Sequence, residues 1–317
     1  MSIKVLGTGY YVPPKTLTND DLAQMVDTSD EWITQRVGVS VRHVSETETA
    51  SDMAVKAALQ AMEQAGVSAE DIDLIISASI TPETLCPTVA GWVQKHIGAS
   101  CPAFDVSSAC SGFLFALDTA VSYIVRGKVK NVLVIGAERL SKIVDWTDRN
   151  TCVIFGDGAG AAVVTAGDNY LSSLIYTAGG DEVLKIPSHA GNSPFYKNEP
   201  DRPYIFMDGQ ETFKFAVSKI VKDIKEVTEE AGITLGQIDH VVTHQANIRI
   251  IDYASKRLGI SKEKFFVNID KYGNTSAASV PMALAELNAS GRLKRGDIVA
   301  LSAFGGGLSS AACIIKW

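Results

Sequence analysis

The chain contains no Cys-x-x-Cys pair, and its five cysteines (Cys86, Cys101, Cys110, Cys152 and Cys313) are scattered and odd in number. That spacing argues against a zinc site and a disulfide framework, so reduced thiols and no metal are expected. There is no excess of positive charge: 29 Lys and Arg stand against 36 Asp and Glu, a formal net charge of −7. Nucleic acid is therefore not an expected partner, and an acidic protein would need a local basic patch. No apolar run approaches the roughly 18 residues of a membrane span, and Met1-Ser2-Ile3-Lys4-Val5-Leu6-Gly7 lacks the basic-then-apolar order of a signal peptide. A cytoplasmic protein without membrane insertion is the expectation. Asp157-Gly158-Ala159-Gly160 is neither a Walker loop nor a Gly-x-Gly-x-x-Gly, so a nucleotide-phosphate cradle is unsupported.

What is present is a pattern written twice. Residues 65–78 read Ala-Gly-Val-Ser-Ala-Glu-Asp-Ile-Asp-Leu-Ile-Ile-Ser-Ala, and residues 231–244 read Ala-Gly-Ile-Thr-Leu-Gly-Gln-Ile-Asp-His-Val-Val-Thr-His, aligned without a gap. A helical pattern precedes each (54–64 and 213–230), a glycine ends it and a β-branched run follows. A second echo pairs Gly127-Lys128-Val129-Lys130 before an apolar run at 132–136 with Gly291-Arg292-Leu293-Lys294 before another at 298–302. In 317 residues this indicates an internal duplication, with a boundary near Gly167-Asp168-Asn169 that gives halves 1–167 and 168–317. Continuous apolar strands between helices predict α/β halves with mostly parallel sheets covered on both faces. The stretch 176–202 reads as an inserted loop.

Within the first half, an apolar run ending at Val106 leads into Ser107-Ser108-Ala109-Cys110-Ser111-Gly112, and a helical pattern apolar almost all round follows from Phe113 to Val125. Cys110 is thus placed where a strand turns into a buried helix. The helix N-terminus is expected to favour thiolate, lowering the thiol pKa from about 8.5 toward roughly 3.5–7.5. His244 ends the strand pattern of the second half, the usual functional position in α/β sheets, and takes the slot that inert Ala78 holds in the first. Asn274 lies in a small polar loop before a helical pattern, and Phe304-Gly305-Gly306-Gly307 follows the last strand run. Three glycines make either a hairpin or a loop whose N–H groups approach a ligand closely. His43, His96, His189 and His240 have no such placement and read as surface or structural residues. A cysteine, a histidine and an asparagine at the ends of different elements, with a glycine loop, form a nucleophilic acyl-transfer set.

The motifs Ser-Ser-Ala-Cys-Ser-Gly at 107–112, Asp-Trp-Thr-Asp-Arg at 145–149, His-Gln-Ala-Asn at 244–247, Gly-Asn-Thr-Ser-Ala-Ala-Ser at 273–279 and Phe-Gly-Gly-Gly at 304–307 together resemble the β-ketoacyl-[acyl-carrier-protein] synthase III family, from one end of the chain to the other. The resemblance implies a thiolase-like fold, two α/β halves in a five-layer αβαβα sandwich, and a homodimer. It implies decarboxylative condensation of a primer acyl-CoA with malonyl-[acyl-carrier protein], initiating fatty-acid synthesis. Both are substrates, and no cofactor is implied. It makes Cys110 the nucleophile, His244 and Asn274 the donors to the enolate, and the N–H groups of Cys110 and Gly306 the oxyanion hole. By the same carry-over Trp32 and Arg149 sandwich the CoA adenine, with Thr28, Arg36, Gly209 and Asn247 along the nucleotide and pantetheine path. Lys214, Arg249, Lys256 and Arg257 become the patch that docks the acidic carrier protein. Where many relatives place an aromatic residue at the end of the primer pocket, this chain has Leu85-Cys86, and either residue can take that place. Primers other than acetyl-CoA are then expected.

Two other readings use the same residues. A related thiolase-fold enzyme priming a polyketide or joining longer chains would carry an identical catalytic set. A papain-like hydrolase also orders Cys, His and Asn this way, but the duplicated halves and the Trp32/Arg149 pair suit CoA transfer better.

Overall fold

A computed structural model of the chain describes residues 2–186 and 204–317. His189 and most of the expected inserted loop lie outside the described residues. Numbering the main strands along the chain, β1 (Ser2–Tyr11), β2 (Leu74–Ala78), β3 (Ala103–Val106), β4 (Asn131–Glu138) and β5 (Gly158–Gly167) form one sheet in the order β1-β5-β4-β2-β3. Next come β6 (Tyr170–Thr177), β7 (His240–Thr243), β8 (Phe265–Phe266), β9 (Ile298–Gly305) and β10 (Ser309–Lys316). They form a second sheet in the order β6-β10-β9-β7-β8, the first order with five added to each number.

Both sheets are mixed rather than mostly parallel. In each, four strands run the same way and only β5 or β10, second from one edge, runs against its two neighbours. The physical reason is clearest at β9 and β10, where the connection is far too short for a parallel crossover and closes a hairpin.

The repeated αβ step matches bond for bond. The helices α1 (Ala50–Ala65) and, in the second half, α4 (Gly209–Glu230) are each followed by a left-handed glycine, Gly66 at φ 67° and Gly232 at φ 69°. A single 3-10 turn comes next, with a capping box from Ser68 and Asp71 or from Thr234 and Gln237. The Asp73 carboxylate then accepts from the Asn131 amide at 2.9 Å, and Asp239 accepts from the Ile298 amide at 2.9 Å. These bonds fix β2 against β4 and β7 against β9 in the same register.

The remaining main helices are α2 (Val89–Ile97), α3 (Gly112–Val125), α5 (Ile248–Leu258) and α6 (Ser279–Ala289). The α3 and α6 helices lie between the sheets, where Phe113, Leu117, Val280 and Leu284 share one core with Leu74 and Ile76 from the first sheet and Val299 and Leu301 from the second. Each such side chain contributes about 1.5–3 kcal/mol on burial. The outer layers are α1 and α2 on one side and α4 and α5 on the other, completing five layers. One face of α3 is buried along its whole length, from Phe113 to Ile124, while Val125 at its end is 48% exposed. Before α3 and α6 stand equivalent 3-10 turns, Ala109–Ser111 and Ser276–Ala278, and each begins on a non-glycine residue in the left-handed region: Ala109 at φ 45° and Ser276 at φ 49°.

A smaller apolar cluster that includes Ile33, Leu140, Val153, Phe155 and Ile205 packs beside the sandwich. Together with the carboxyl ends of strands, it lines a cavity.

Candidate active site

The cavity holds about 670 Å³ and is lined by Cys110, His244 and Asn274 together, with Ile80, Ser276, Phe304 and Gly305 beside them. Its lining comes from both halves. Cys110 and His244, 134 residues apart, each sit just past the carboxyl end of a strand, one from each sheet, and both line the cavity.

Cys110 is held by the opposite half. The last residue of β9, Gly305, passes so close that a Cβ there would fall 2.8 Å from the Cys110 amide nitrogen, so only glycine fits. The Ser111 and Ser309 hydroxyls meet at 2.6 Å, and Ser309 Oγ also donates to the Gly306 carbonyl at 2.8 Å. The glycine run is therefore a hairpin and also the floor under the thiol.

The expected low thiol pKa is not what this setting produces. Cys110 is buried, no cation stands beside it among the described residues, and the Glu138 carboxyl adds a further upward push, so the thiol is raised from 9.0 to about 12. That change corresponds to roughly 4 kcal/mol, whereas a helix N-terminus supplies about 0.3–1 and at most ~2 kcal/mol. Desolvation by burial wins over the dipole.

His244 is also buried, and burial alone lowers its pKa from 6.5 to about 3, so the ring is neutral at any working pH. Its amide donates to the Ser302 carbonyl at 2.8 Å and its ring meets Phe304 edge-on at 5.2 Å between centroids. Nδ1 has no hydrogen-bond partner among the described residues. The Asn274 backbone is bonded on both sides to the Ile154–Gly156 segment. Its Oδ1 accepts from the Ser276 amide at 2.8 Å, and that engaged oxygen leaves Nδ2 as the free donor. A neutral ring and an amide N–H can both stabilise a developing oxyanion without delivering a proton to carbon.

Of the expected CoA contacts, Trp32, Gly209 and Asn247 line the same cavity. The Arg149 guanidinium lies 5.2 Å and that of Arg36 6.0 Å from the Trp32 ring centroid, a spacing suited to cation–π contact. Asn247 caps α5 and donates to the Arg36 carbonyl at 3.0 Å, tying that helix to the Trp32 segment. Thr28 is half-buried and outside the cavity lining, and its hydroxyl has no hydrogen-bond partner among the described residues.

Lys214, Arg249, Lys256 and Arg257 are all exposed. Arg249, Lys256 and Arg257 lie on α5, and Arg249 stacks 5.5 Å from the Phe213 ring at the cavity wall. Lys214 pairs with Glu211 at 2.7 Å. Leu85 is 94% exposed, Cys86 is exposed, and neither lines the cavity of the single chain. His43, His96 and His240 are also outside it, engaged by the Pro13 carbonyl, the Trp92 ring and Asp297 respectively.

Two residues given no role from sequence bear on this site: Ser276 in the cavity lining, and Glu138, outside that lining but near enough to push the Cys110 thiol up. Ser276 was visible only as part of a motif. Glu138 ends β4, fully buried; the rule that singled out His244 at a strand's carboxyl end also applies to it. No group of three or more His, Cys, Asp or Glu residues suited to a metal ion occurs among the described residues.

Models of the 3-oxoacyl-[acyl-carrier-protein (ACP)] synthase III family match residues 104–179, and models of its C-terminal part match 228–317. The chain is 46% identical to the Beta-ketoacyl-[acyl-carrier-protein] synthase III of Clostridium acetobutylicum over 100% of this chain and 99% of that protein. The crystal structure of 3-oxoacyl-[acyl-carrier-protein] synthase III from Aquifex aeolicus superimposes with a TM-score of 0.94 at 47% identity, covering 99% of this chain and 100% of that one. The priming beta-ketosynthase of the R1128 polyketide pathway gives a TM-score of 0.92 at 36% identity, covering 99% of this chain and 96% of that one. Fold, full-length identity and the meeting of cysteine, histidine and asparagine in one cavity agree, and the chain belongs to the 3-oxoacyl-[acyl-carrier-protein] synthase III family.

Proposed function

We propose that the chain condenses a primer acyl-CoA with malonyl-[acyl-carrier protein], releasing CoA and carbon dioxide and giving a 3-oxoacyl-[acyl-carrier protein] that starts a fatty acid. The observation that carries this is the shared cavity of Cys110, His244 and Asn274 with a Trp32/Arg149 pair at one end. Cys110 sulfur attacks the primer thioester, the N–H groups of Cys110 and Gly306 hold the tetrahedral oxygen, and CoA thiolate leaves. The malonyl group then loses carbon dioxide. His244 and the Asn274 amide hold the enolate oxygen while its carbon attacks the acyl group on Cys110 and returns the sulfur as thiolate.

The nucleophile belongs to a first half of residues 1–167 and the two donors to a second of 168–317. A cytoplasmic homodimer is the working form, and partner-subunit side chains reach the exposed Leu85-Cys86 loop to close the primer pocket. The test is turnover of malonyl-carrier protein with a panel of acyl-CoAs; free acid released without condensation would favour a hydrolase. Isobutyryl-CoA and butyryl-CoA are expected to compete with acetyl-CoA, because each methylene accommodated is worth about 1–3 kcal/mol in relative specificity. Comparing kcat/KM for the three primers in the native chain and in Cys86→Phe checks this; an enzyme already strict for acetyl-CoA and unchanged by the substitution defeats it. A second reading, priming of a polyketide, has the likeness to the R1128 priming enzyme behind it, and the same panel tests it.

The exposed cations on and beside α5 dock the acidic carrier protein. In a chain of net charge −7 such attraction is local and weakens with salt. Arg249→Glu is expected to raise KM for malonyl-carrier protein while leaving acetyl-CoA loading nearly unchanged. Equal losses in both half-reactions would place Arg249 on the CoA path instead.

A further inference from the structure

Gln245 follows His244 directly, yet it does not line the cavity that holds its neighbours His244, Ala246 and Asn247. It is 1% exposed, and its side chain turns back into the protein. Nε2 donates to the Thr243 carbonyl at 2.9 Å and to the Phe266 carbonyl at 3.1 Å, while Oε1 accepts from the Asn268 amide at 3.2 Å. Thr243 and Phe266 are the last residues of β7 and β8, which pair in parallel. One side-chain amide thus ties two strand ends together, with both of its hydrogens and its oxygen engaged.

The Gln245 main chain is held as well. Its amide donates at 2.7 Å to the Oγ of Ser279, a buried residue that opens α6. The segment leading into α6 carries Asn274, whose Oδ1 accepts from the Ser276 amide at the start of the Ser276–Ala278 turn. The bond between Gln245 and Ser279 therefore lies one residue from one donor of the cavity and one short turn from the other.

We propose that Gln245 and Ser279 are positioning residues that fix His244 relative to Asn274, and so set how well the two hold the enolate oxygen of the malonyl group. The inference rests on the condensation proposed above. Asn274 has its own anchors, its amide donating to the Ile154 carbonyl at 2.9 Å and its carbonyl accepting from the Gly156 amide at 3.0 Å. The His244 ring is placed by its backbone and by the edge of Phe304, since Nδ1 has no hydrogen-bond partner among the described residues. Loosening the Gln245 bonds consequently moves His244 rather than Asn274. A donor acts only where the oxygen stands, and a misplacement of about 1 Å can cost on the order of 10²-fold.

The experiment measures two steps separately in the full chain: CoA release from acetyl-CoA, which reads acylation of Cys110, and carbon dioxide release from malonyl-[acyl-carrier protein]. Ser279→Ala removes a single oxygen. It is expected to lower kcat for carbon dioxide release by about 10- to 10²-fold, while acylation and KM for malonyl-carrier protein change less than about twofold. Ser279→Thr, which keeps the acceptor, should recover the rate, and Gln245→Met, which keeps the length without the donors, should reproduce the split. In a His244→Ala background Ser279→Ala should cost less than about twofold more, because the donor it places is already gone. A merely structural role gives the opposite pattern: both steps fall together, and the loss persists without His244. Either of those results overturns the proposal, as does native carbon dioxide release in Ser279→Ala. A native chain that releases no carbon dioxide brings down the condensation reading and this inference with it, whereas the other outcomes leave that reading standing.

Discussion

Incubated with acetyl-CoA, the chain is expected to gain one acetyl group, and peptide mass spectrometry is expected to find it on Cys110. Cys110→Ser should show no adduct and lose condensation on the order of 10⁴-fold or more, the scale of deleting the nucleophile of an acyl-transfer enzyme. The structure supports the choice among the cysteines. Cys101, Cys152 and Cys313 are buried outside the cavity lining and Cys86 is exposed away from it, whereas Cys110 alone lies in the cavity with His244 and Asn274. Serine fails for a stated reason: its hydroxyl is a much weaker acid than the thiol it replaces, and among the described residues nothing cationic stands nearby to compensate. Acetylation at Cys86 or Cys152 with condensation intact in Cys110→Ser would remove the assignment.

The second large effect separates the half-reactions. His244→Ala and Asn274→Ala are expected to acylate Cys110 at near-native rates yet to lose condensation by roughly 10²–10³ or more, the scale of removing one oxyanion donor. The neutrality of His244 and the engaged Oδ1 of Asn274 are what make them donors to an enolate rather than acid–base groups for the thiol. Single-turnover release of CoA reads acylation, and carbon dioxide release from malonyl-carrier protein reads decarboxylation. Equal losses in both would assign the two residues to thiol activation.

The sequence carried the duplication because the same capped turn and the same aspartate-to-strand bonds need the same residues at 65–78 and at 231–244. The reactive trio was legible because strand ends are where α/β sheets place chemistry. Strand direction was not, since apolar runs look alike in either sense and only connection geometry distinguishes them. The thiol pKa was misjudged for a related reason: the helix behind Cys110 is local and readable, but the closed cavity and Glu138 come from segments tens of residues away. Glu138 itself sat at the end of an apolar run, where a lone acid has no sequence partner to signal its burial.

The left-handed residues Ala109 and Ser276 begin equivalent turns in the two halves, and both turns border one cavity. A symmetric dimer of a single half could bring together only identical corners, two thiols or two serines. Joining the copies in one chain lifts that restriction. One corner was free to take sulfur while the other kept a hydroxyl beside an amide, so this pocket owes its unlike partners to the breaking of an exact twofold relation.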